Sequence, residues 1–250
     1  VIPSTRQVLK VGKVRGVESL GMMCSTDERL LGEGEGGIIE VDAEAPVGES
    51  YAKWAGLDEV LIEIEITPNR GDCLGVYGIA RDLAATGIGV LKPLKAPVVK
   101  GCFPSPIQVT LQDQACPHFT GRLIKGVKNG PSPAWLQKKL QAIGLRPLSA
   151  LVDITNYFTY DRGRPLHVFD AEKLQGKLTV RPSKAGEVFQ ALDGKAYDLP
   201  EGLTIIADES GVIALGGIMG GESTACDDNT HNVFLEAAFF DPIAIAMAGR

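Results

Sequence analysis

Cysteine is scarce in this sequence and is never clustered. The five cysteines are Cys24, Cys73, Cys102, Cys116 and Cys226. Because they are odd in number, widely spaced and without a C-x-x-C pair, they argue against a disulfide framework or a zinc site and favour a reducing cytosol. Long apolar runs are also missing: none approaches the ~18 residues of a membrane span, and no basic-then-apolar leader is present.

An excess of basic residues is missing as well. The 250 residues include 25 Lys and Arg against 31 Asp and Glu, which gives a formal net charge of −6. Dedicated nucleic-acid binders show a basic excess, so any contact with RNA is expected to be weak, and either local or shared with another chain. The content of 44% hydrophobic and 22% charged residues is ordinary for a globular protein of one or two domains.

Nucleotide-binding loops are absent too. The glycine-rich run Gly216–Gly221 has neither G-x-G-x-x-G nor Gly-Lys-Ser/Thr spacing, so a phosphate cradle is not expected there. So many glycines weaken a strand without filling space. The run therefore predicts that another group approaches its backbone closely, and the alternative is a tight crossing of two strands.

The N-terminal region shows short strands broken by glycine, as in a β-barrel. Within Val1–Glu49 we expect strands over Gln7–Val14 and Ile38–Val41, with a glycine-acid loop at Gly32–Gly37. Such a region either contacts nucleic acid or is a barrel remnant that binds nothing.

A strand, a tight turn and a helix follow. Leu61–Ile66 alternates apolar and acidic residues, which is the period of a half-buried strand. After the turn, Asp72 is expected to cap a helix over Cys73–Thr86 that Gly87 ends.

The second half mixes helices and strands without regular alternation, which argues for an α+β fold rather than a doubly wound sheet. The proline-rich segment Leu91–Pro106 predicts a linker before it. Ser132 is expected to cap a helix that starts at Pro133, and Asp241 is expected to cap a last helix. Patterning predicts a hairpin turn at Asp193-Gly194 and strands over Ile107–Leu111, Phe119–Val127, Leu178–Arg181, Leu203–Ala207 and Val212–Leu215.

Two titratable residues stand in apolar surroundings. Pro165 stiffens the approach to His167, whose imidazole is either a core group satisfied by a backbone carbonyl or a functional group. Glu236 lies inside the apolar run Val233–Phe240, so it must be paired or available to a ligand, because burying a lone charge is prohibitive. Spacing alone does not decide between these alternatives.

Several stretches resemble the beta subunit of bacterial phenylalanyl-tRNA synthetase. They occur in that family's order and together cover most of the chain. They are GVESLGMMCS at Gly16–Ser25, EITPNRGDCLGVYGIARDLA at Glu65–Ala84, PSPAWLQKKLQAIGLRPLSALVDITNY at Pro131–Tyr157, GRPLHVFD at Gly163–Asp170 and GGIMGGESTACDDNTHNVFLEAAFFDP at Gly216–Pro242. Asp27–Leu31 departs from the family, which usually has a more regular Glu-Leu-Gly-Leu there, and this weakens the barrel prediction locally.

The resemblance implies an internal fragment with a multidomain α+β fold. The implied segments are the C-terminal half of an OB-type tRNA-binding barrel at 1–50, a small α+β connecting domain at 51–92, a proline-rich linker at 93–106 and an editing domain at 107–250, truncated at its C-terminus. A short Thr-x-Ala motif of that domain would follow Arg250.

In that family the editing domain hydrolyses tyrosine wrongly attached to the phenylalanine tRNA. An aminoacyl ester is already activated, so its hydrolysis needs a placed water, hydrogen bonds to the developing oxyanion and a fitted side-chain pocket. The resemblance assigns Thr155, Asn156 and His167 to catalysis, and Glu236, Gly220 and Gly221 to substrate binding, with no metal. Glu236 would read the tyrosine hydroxyl, whereas His167 would orient water or adenosine, or help to bind the phenol.

The implied partners are tRNA(Phe) and the synthetase alpha subunit, in a cytoplasmic heterotetramer of two alpha and two beta chains without a membrane. ATP and Mg²⁺ are used by the full synthetase at its alpha subunit, so this segment is expected to bind no cofactor. The alternatives are a stand-alone tRNA-binding or scaffold module of the same fold without hydrolysis, and a free-standing deacylase acting on tRNA.

Overall fold

A computed structural model describes residues 1–31 and 37–249. The chain divides into two compact units, Val1–Asp58 and Glu59–Arg250. None of the helices in these described ranges is long and apolar enough to cross a membrane. The finer division into four segments stays a prediction.

The first unit contains little regular structure. Strand β1 (Gly12–Val14) pairs antiparallel with β2 (Val17–Ser19), and a single helical turn, α1, covers Tyr51–Trp54. The strand predicted over Gln7–Val14 is therefore confirmed only in its last three residues. The strand predicted at Ile38–Val41 is wrong, because no ladder forms there. Within the described part of this unit no closed barrel is present, and of the predicted glycine-acid loop only Gly37 lies among the described residues.

The second unit opens with a segment that the alternation rule misjudges. The strand predicted over Leu61–Ile66 is wrong: the segment is irregular, and Ile62 is 71% exposed. Alternation predicts an amphipathic strand, but a strand also needs a partner for its N–H and C=O groups. No partner strand pairs with this segment in the described ranges.

The helix that follows starts later than the sequence predicts. A 3₁₀ turn at Gly71–Cys73 precedes helix α2 (Val76–Ala85), whose N-cap is Gly75. Asp72 is therefore not the cap, because its carboxylate instead forms ion pairs with Arg70 and Arg81. The predicted stop is confirmed, since Gly87 has a φ of +83° just past the helix.

The rest of the second unit contains thirteen further α-helices and β-strands among the described residues. The helices are α3 (Ala134–Ala142), α4 (Ala150–Arg162) and α5 (Pro242–Ala248). The strands up to the first hairpin are β3 (Val109–Leu111), β4 (His118–Lys125), β5 (His167–Asp170), β6 (Leu178–Pro182), β7 (Glu187–Gln190) and β8 (Ala196–Leu199). The remaining strands are β9 (Thr204–Asp208), β10 (Gly211–Leu215), β11 (Met219–Gly220) and β12 (Asn232–Phe239).

These strands form two main sheets around one core. The larger has the order β11-β10-β9-β6-β3, the smaller has the order β4-β12-β5, and β7 and β8 form a separate hairpin. Phe169 and Phe234 of the smaller sheet join Leu178, Val180 and Ile213 of the larger one in a single buried cluster. Each such side chain stabilises the fold by roughly 1.5–3 kcal/mol relative to an exposed one, so the smaller sheet is held firmly in place.

The predicted α+β class is confirmed, and so are the strands predicted from Ile107 onward, within a few residues at their ends. The hairpin turn at Asp193-Gly194 is confirmed between β7 and β8. Asp241 caps α5 by accepting a hydrogen bond from the Ala244 amide, as predicted. Ser132 does not cap α3, because its hydroxyl donates to the buried Asp153 carboxylate and Pro133 takes the cap position.

Candidate functional site

The pairing of β5 with β12 places His167 beside Glu236. The two residues are directly opposite each other in the antiparallel register, and Gly121 of β4 flanks Glu236 on its other side. Side chains at opposite positions of an antiparallel pair point to the same face and have Cβ atoms about 4.5–5.5 Å apart. Two of the predicted site residues, distant in sequence, therefore share one face of the smaller sheet.

The imidazole of His167 is wedged between two neighbours. One is the ring of Phe169, with ring centroids 4.4 Å apart at 75°. The other is the backbone of Gly220, where an added Cβ would lie 2.3 Å from Cε1 of the imidazole. The close approach predicted for the glycine run is therefore confirmed, and at Gly220 the approaching group is His167.

One ring nitrogen of His167 lacks a partner. Its Nε2 atom is buried and makes no hydrogen bond within the described residues. A buried polar atom of this kind normally finds a partner, and leaving it unpaired costs about 1–3 kcal/mol. The atom is thus available to a water molecule or a ligand.

The Gly221 amide is not free to bind an oxyanion. Its amide already donates to the Ile213 carbonyl at 2.8 Å, and an added Cβ would lie 2.6 Å from that same oxygen. Gly221 therefore keeps β10 close to the end of β11. A donor to an oxyanion has to come from another group.

Thr155 and Asn156 lie on α4, which contacts β5. Thr155 is buried, and its hydroxyl donates to the Val152 carbonyl at 2.7 Å, so only its lone pairs remain available. Asn156 is half-buried. The helix is anchored by Asp153, which accepts hydrogen bonds from Ser132 and from the Leu148 amide. Gly163, with a φ of +62°, ends α4 and turns the chain toward β5.

Burial shifts the pKa of both central groups toward their neutral forms. Burial raises the pKa of Glu236 to about 7, and the positive charge of Arg164 opposes that rise. Burial lowers the pKa of His167 to about 4. Near neutral pH the imidazole is therefore an uncharged hydrogen-bond acceptor, and Glu236 is close to its midpoint.

Arg164 is a site residue that the sequence patterns do not single out. Its Nη2 atom donates to the Ala238 carbonyl at 2.9 Å, two residues along β12 from Glu236. The carboxylate itself accepts no hydrogen bond within the described part of the chain. In the sequence, the position of Arg164 just before Pro165 and His167 was the one indication that it belongs to the site.

The two buried groups predict opposite pH dependences of stability. Glu236 holds its proton more tightly in the folded chain, so its contribution is fully present below pH 4.5 and is lost as pH rises through about 7. For His167 the contribution is fully present above pH 6.5 and is lost as pH falls through about 4. Between pH 4.5 and 6.5 the two contributions change the free energy of unfolding in opposite directions, so they largely cancel in the unmodified chain.

Replacing one of the two residues should reveal the pH dependence of stability that the other one causes. From pH 4.5 to 6.5 we expect the free energy of unfolding of His167→Gln to fall by about 2–3 kcal/mol, and that of Glu236→Gln to rise by a similar amount. Urea denaturation at several pH values measures both. Of the other groups near Glu236, Cys116 has a pKa raised to about 11 by burial and does not titrate in this range. Two variants with the same flat profile would contradict the pKa shifts.

Gly220 and His167 should be energetically coupled. Gly220→Ala is expected to destabilise the chain by about 1–3 kcal/mol, because the new methyl group overlaps the imidazole. In the His167→Ala background the same change should cost much less. Chemical denaturation of the two single variants and the double variant gives the coupling. Gly71→Ala is the matched control, because its added Cβ meets no atom within 4 Å, and additive effects at Gly220 and His167 would refute the contact.

Other clusters of polar residues are already satisfied. Asp72, Cys73 and Asp82 are close enough to hold a metal ion. However, Arg70 and Arg81 occupy the carboxylates, and the Arg70 guanidinium lowers the pKa of Asp72 to about 2. A pocket of about 510 Å³ lies along α2 and residues 88–95, without His167 or Glu236 in its lining.

Known proteins resemble this chain over its whole length. A family model described as the B3/4 domain matches residues 115–250. The chain is 55% identical over 250 residues to the phenylalanine–tRNA ligase beta subunit of Bradyrhizobium diazoefficiens, and 58% identical over 254 aligned positions to that of Paramagnetospirillum magneticum. It spans 31% and 32% of those two proteins, about a third of their length.

Among the solved structures that also match is an N-terminal fragment of the phenylalanyl-tRNA synthetase beta subunit from Pyrococcus horikoshii, with a TM-score of 0.44 and 17% sequence identity. The match covers 72% of this chain and 59% of that one.

Proposed function

This chain belongs to the B3/4 domain family, and from that premise we propose that it is the part of a phenylalanine–tRNA ligase beta subunit that hydrolyses mischarged tyrosyl-tRNA(Phe). The resemblance to those beta subunits found in the sequence is confirmed by identities of 54–58% over the whole chain. The hydrolytic site proposed is the one around His167 and Glu236.

The observation that carries the proposal is a pair of unmet polar groups on one sheet face. Glu236 as a residue is 7% exposed and its carboxyl has no hydrogen bond among the described residues, and the Nε2 atom of His167 is buried without a partner. A purely structural core would satisfy or replace such groups, because each one left unpaired destabilises the fold. A ligand that brings a hydroxyl group and a water molecule would satisfy both.

Hydrolysis of an aminoacyl ester requires only a few interactions from these residues. An aminoacyl ester needs no protein nucleophile when a water molecule is held in line with its carbonyl carbon. The neutral imidazole of His167 can accept a proton or a hydrogen bond from that water, and the Asn156 amide can donate to the developing oxyanion. Thr155 accepts a hydrogen bond from the substrate or from water. Gly220 and Gly221 form a wall of the substrate pocket, in which Gly220 leaves room for the imidazole of His167 and Gly221 keeps β10 close to β11.

The partners proposed follow from the beta-subunit relatives. They are tRNA(Phe) and a synthetase alpha subunit in a heterotetramer of two alpha and two beta chains, located in the cytoplasm. ATP and Mg²⁺ would act at the alpha subunit and not at this segment. The proposed segments are the barrel half at 1–50, the connecting domain at 51–92, the linker at 93–106 and the editing domain at 107–250.

Deacylation of charged tRNA tests the proposal. The chain, extended past Arg250 to include the Thr-x-Ala motif that the resemblance places there, is mixed separately with tyrosyl-tRNA(Phe) and phenylalanyl-tRNA(Phe), and release of the amino acid is followed. We expect the tyrosyl ester to be hydrolysed faster than the phenylalanyl ester and than either ester in buffer. Binding of both tRNAs without hydrolysis of either would instead identify a scaffold module.

A further inference from the structure

Basic residues are concentrated in one stretch of this acidic chain. Residues 88–149 contain nine Lys and Arg and a single acid, Asp113, whereas the whole chain has a net charge of −6. The nine are Lys92, Lys95, Lys100, Arg122, Lys125, Lys128, Lys138, Lys139 and Arg146. A local excess of this size is the electrostatic pattern of a surface that meets a polyanion.

The structure leaves this charge uncompensated. All nine side chains are exposed, and within the described residues none forms an ion pair. Asp113 is already engaged: its carboxylate accepts hydrogen bonds from Thr204 at 2.7 Å and from the Ala115 amide at 2.9 Å. By contrast, other cations of this unit, such as Arg181 and Lys173, are paired with carboxylates.

Two of the nine cations, Arg122 and Lys125, lie on β4, and a third, Lys100, lies on the segment that contacts this strand. Arg122 donates from Nη2 to the Val99 carbonyl at 3.0 Å, which brings the adjacent Lys100 to this strand. Lys125 lies with Nζ 5.1 Å from the centroid of the half-exposed Phe103 ring. The linker therefore runs beside β4, and Lys100, Arg122 and Lys125 form what we call the basic strip.

The basic strip also has a structural explanation that involves no ligand. β4 is an edge strand of the smaller sheet, and cations on an edge strand discourage pairing with another chain. That explanation needs one or two charges on β4 itself. It does not account for Lys100 on the linker, or for Lys138 and Lys139 on α3.

We propose that the basic strip binds the ribose-phosphate backbone of an RNA. The choice of RNA as the polyanion rests on the proposed function, whereas the charge excess stands on its own. Lys and Arg contact phosphates without reading bases, so the strip would position the RNA and leave recognition of the amino acid to the site around Glu236. It would also reconcile weak binding by the whole acidic chain with a defined local contact.

A salt titration with matched variants tests the strip. The triple variant Lys100→Gln, Arg122→Gln and Lys125→Gln is compared with a control, Lys177→Gln, Lys184→Gln and Lys195→Gln, which removes the same charge from exposed positions elsewhere in the unit. The probe is tRNA(Phe) without an attached amino acid. Its affinity for the 250-residue chain is measured by fluorescence anisotropy over a range of KCl concentrations.

We expect the strip variant to lose about tenfold or more in affinity at low salt, and its slope of log K against log[KCl] to fall by about 3, one for each phosphate contact. The control should change the slope by less than about 1. A charge-preserving variant, Lys100→Arg, Arg122→Lys and Lys125→Arg, should bind as the parent does, which separates loss of charge from loss of fold.

Equal losses in the strip variant and the control, or no change in the strip variant, would overturn the proposal. So would binding of poly-glutamate as tight as that of tRNA, because the partner would then be an acidic protein. Since the probe carries no amino acid, the result does not depend on hydrolysis. A chain that binds tRNA through the strip but fails to deacylate it would sink the proposed function alone.

Discussion

Glu236→Ala is expected to slow hydrolysis of tyrosyl-tRNA(Phe) about 10–100-fold more than it slows hydrolysis of phenylalanyl-tRNA(Phe). The Glu236 carboxyl is buried and accepts no hydrogen bond within the described residues. Tyrosine brings a phenol donor that satisfies this acceptor, whereas phenylalanine leaves it unpaired, at a cost of roughly 1–3 kcal/mol. A pocket with a buried acceptor thus rejects phenylalanine strongly, because phenylalanine has no hydroxyl. An apolar pocket rejects tyrosine only weakly, because tyrosine merely adds a hydroxyl.

The measurement is deacylation of both charged tRNAs by the extended chain and its variants. Glu236→Gln is the informative companion, because its amide oxygen still accepts a hydrogen bond and should retain part of the preference. A control is Glu187→Ala, which removes another carboxylate of this unit, one that is paired with Arg181. Equal losses on the two esters would make Glu236 a structural or catalytic group and remove its role as the reader of the hydroxyl.

His167→Ala is expected to reduce hydrolysis of tyrosyl-tRNA(Phe) by about 10²–10⁴-fold per folded molecule, the usual contribution of a group that handles a proton or orients water. The free Nε2 atom and the pKa near 4 keep the imidazole uncharged and able to accept a hydrogen bond at neutral pH. The phenylalanyl ester should lose a similar factor, because the water is common to both reactions. That equality distinguishes His167 from Glu236.

Stability must be measured alongside the rate, since His167 packs against Phe169 and Gly220. Thr224→Val is a suitable control, because Thr224 carries another buried hydroxyl without a partner in the described residues. Removing an unpaired polar atom should leave the fold as stable or more so, and the rate unchanged. If His167→Ala lowers the melting temperature while the rate per folded molecule is unchanged, the imidazole is a core group.

Predictions from the sequence succeeded where a segment carries its own determinants. Asp241 followed by Pro242 is both the cap and the start of α5, and Asp193-Gly194 is both the turn and the register signal of the β7–β8 hairpin. They failed where another group competes. Asp72 satisfies the spacing of a helix cap, yet two arginines offer its carboxylate a stronger interaction.

The sequence by itself determined the α+β class, five of the ten strands described after residue 106, the unusual environments of His167 and Glu236, and the need for glycine near residue 220. Only the tertiary structure decided that the imidazole at residue 167 fills the space a side chain on Gly220 would need, that the Gly221 amide is already used, and that Arg164 acts on Glu236. The reason is physical. Spacing along a chain reports local periodicity, whereas the register of β5 against β12 is set by packing two sheets into one core, and that packing involves residues far apart in sequence.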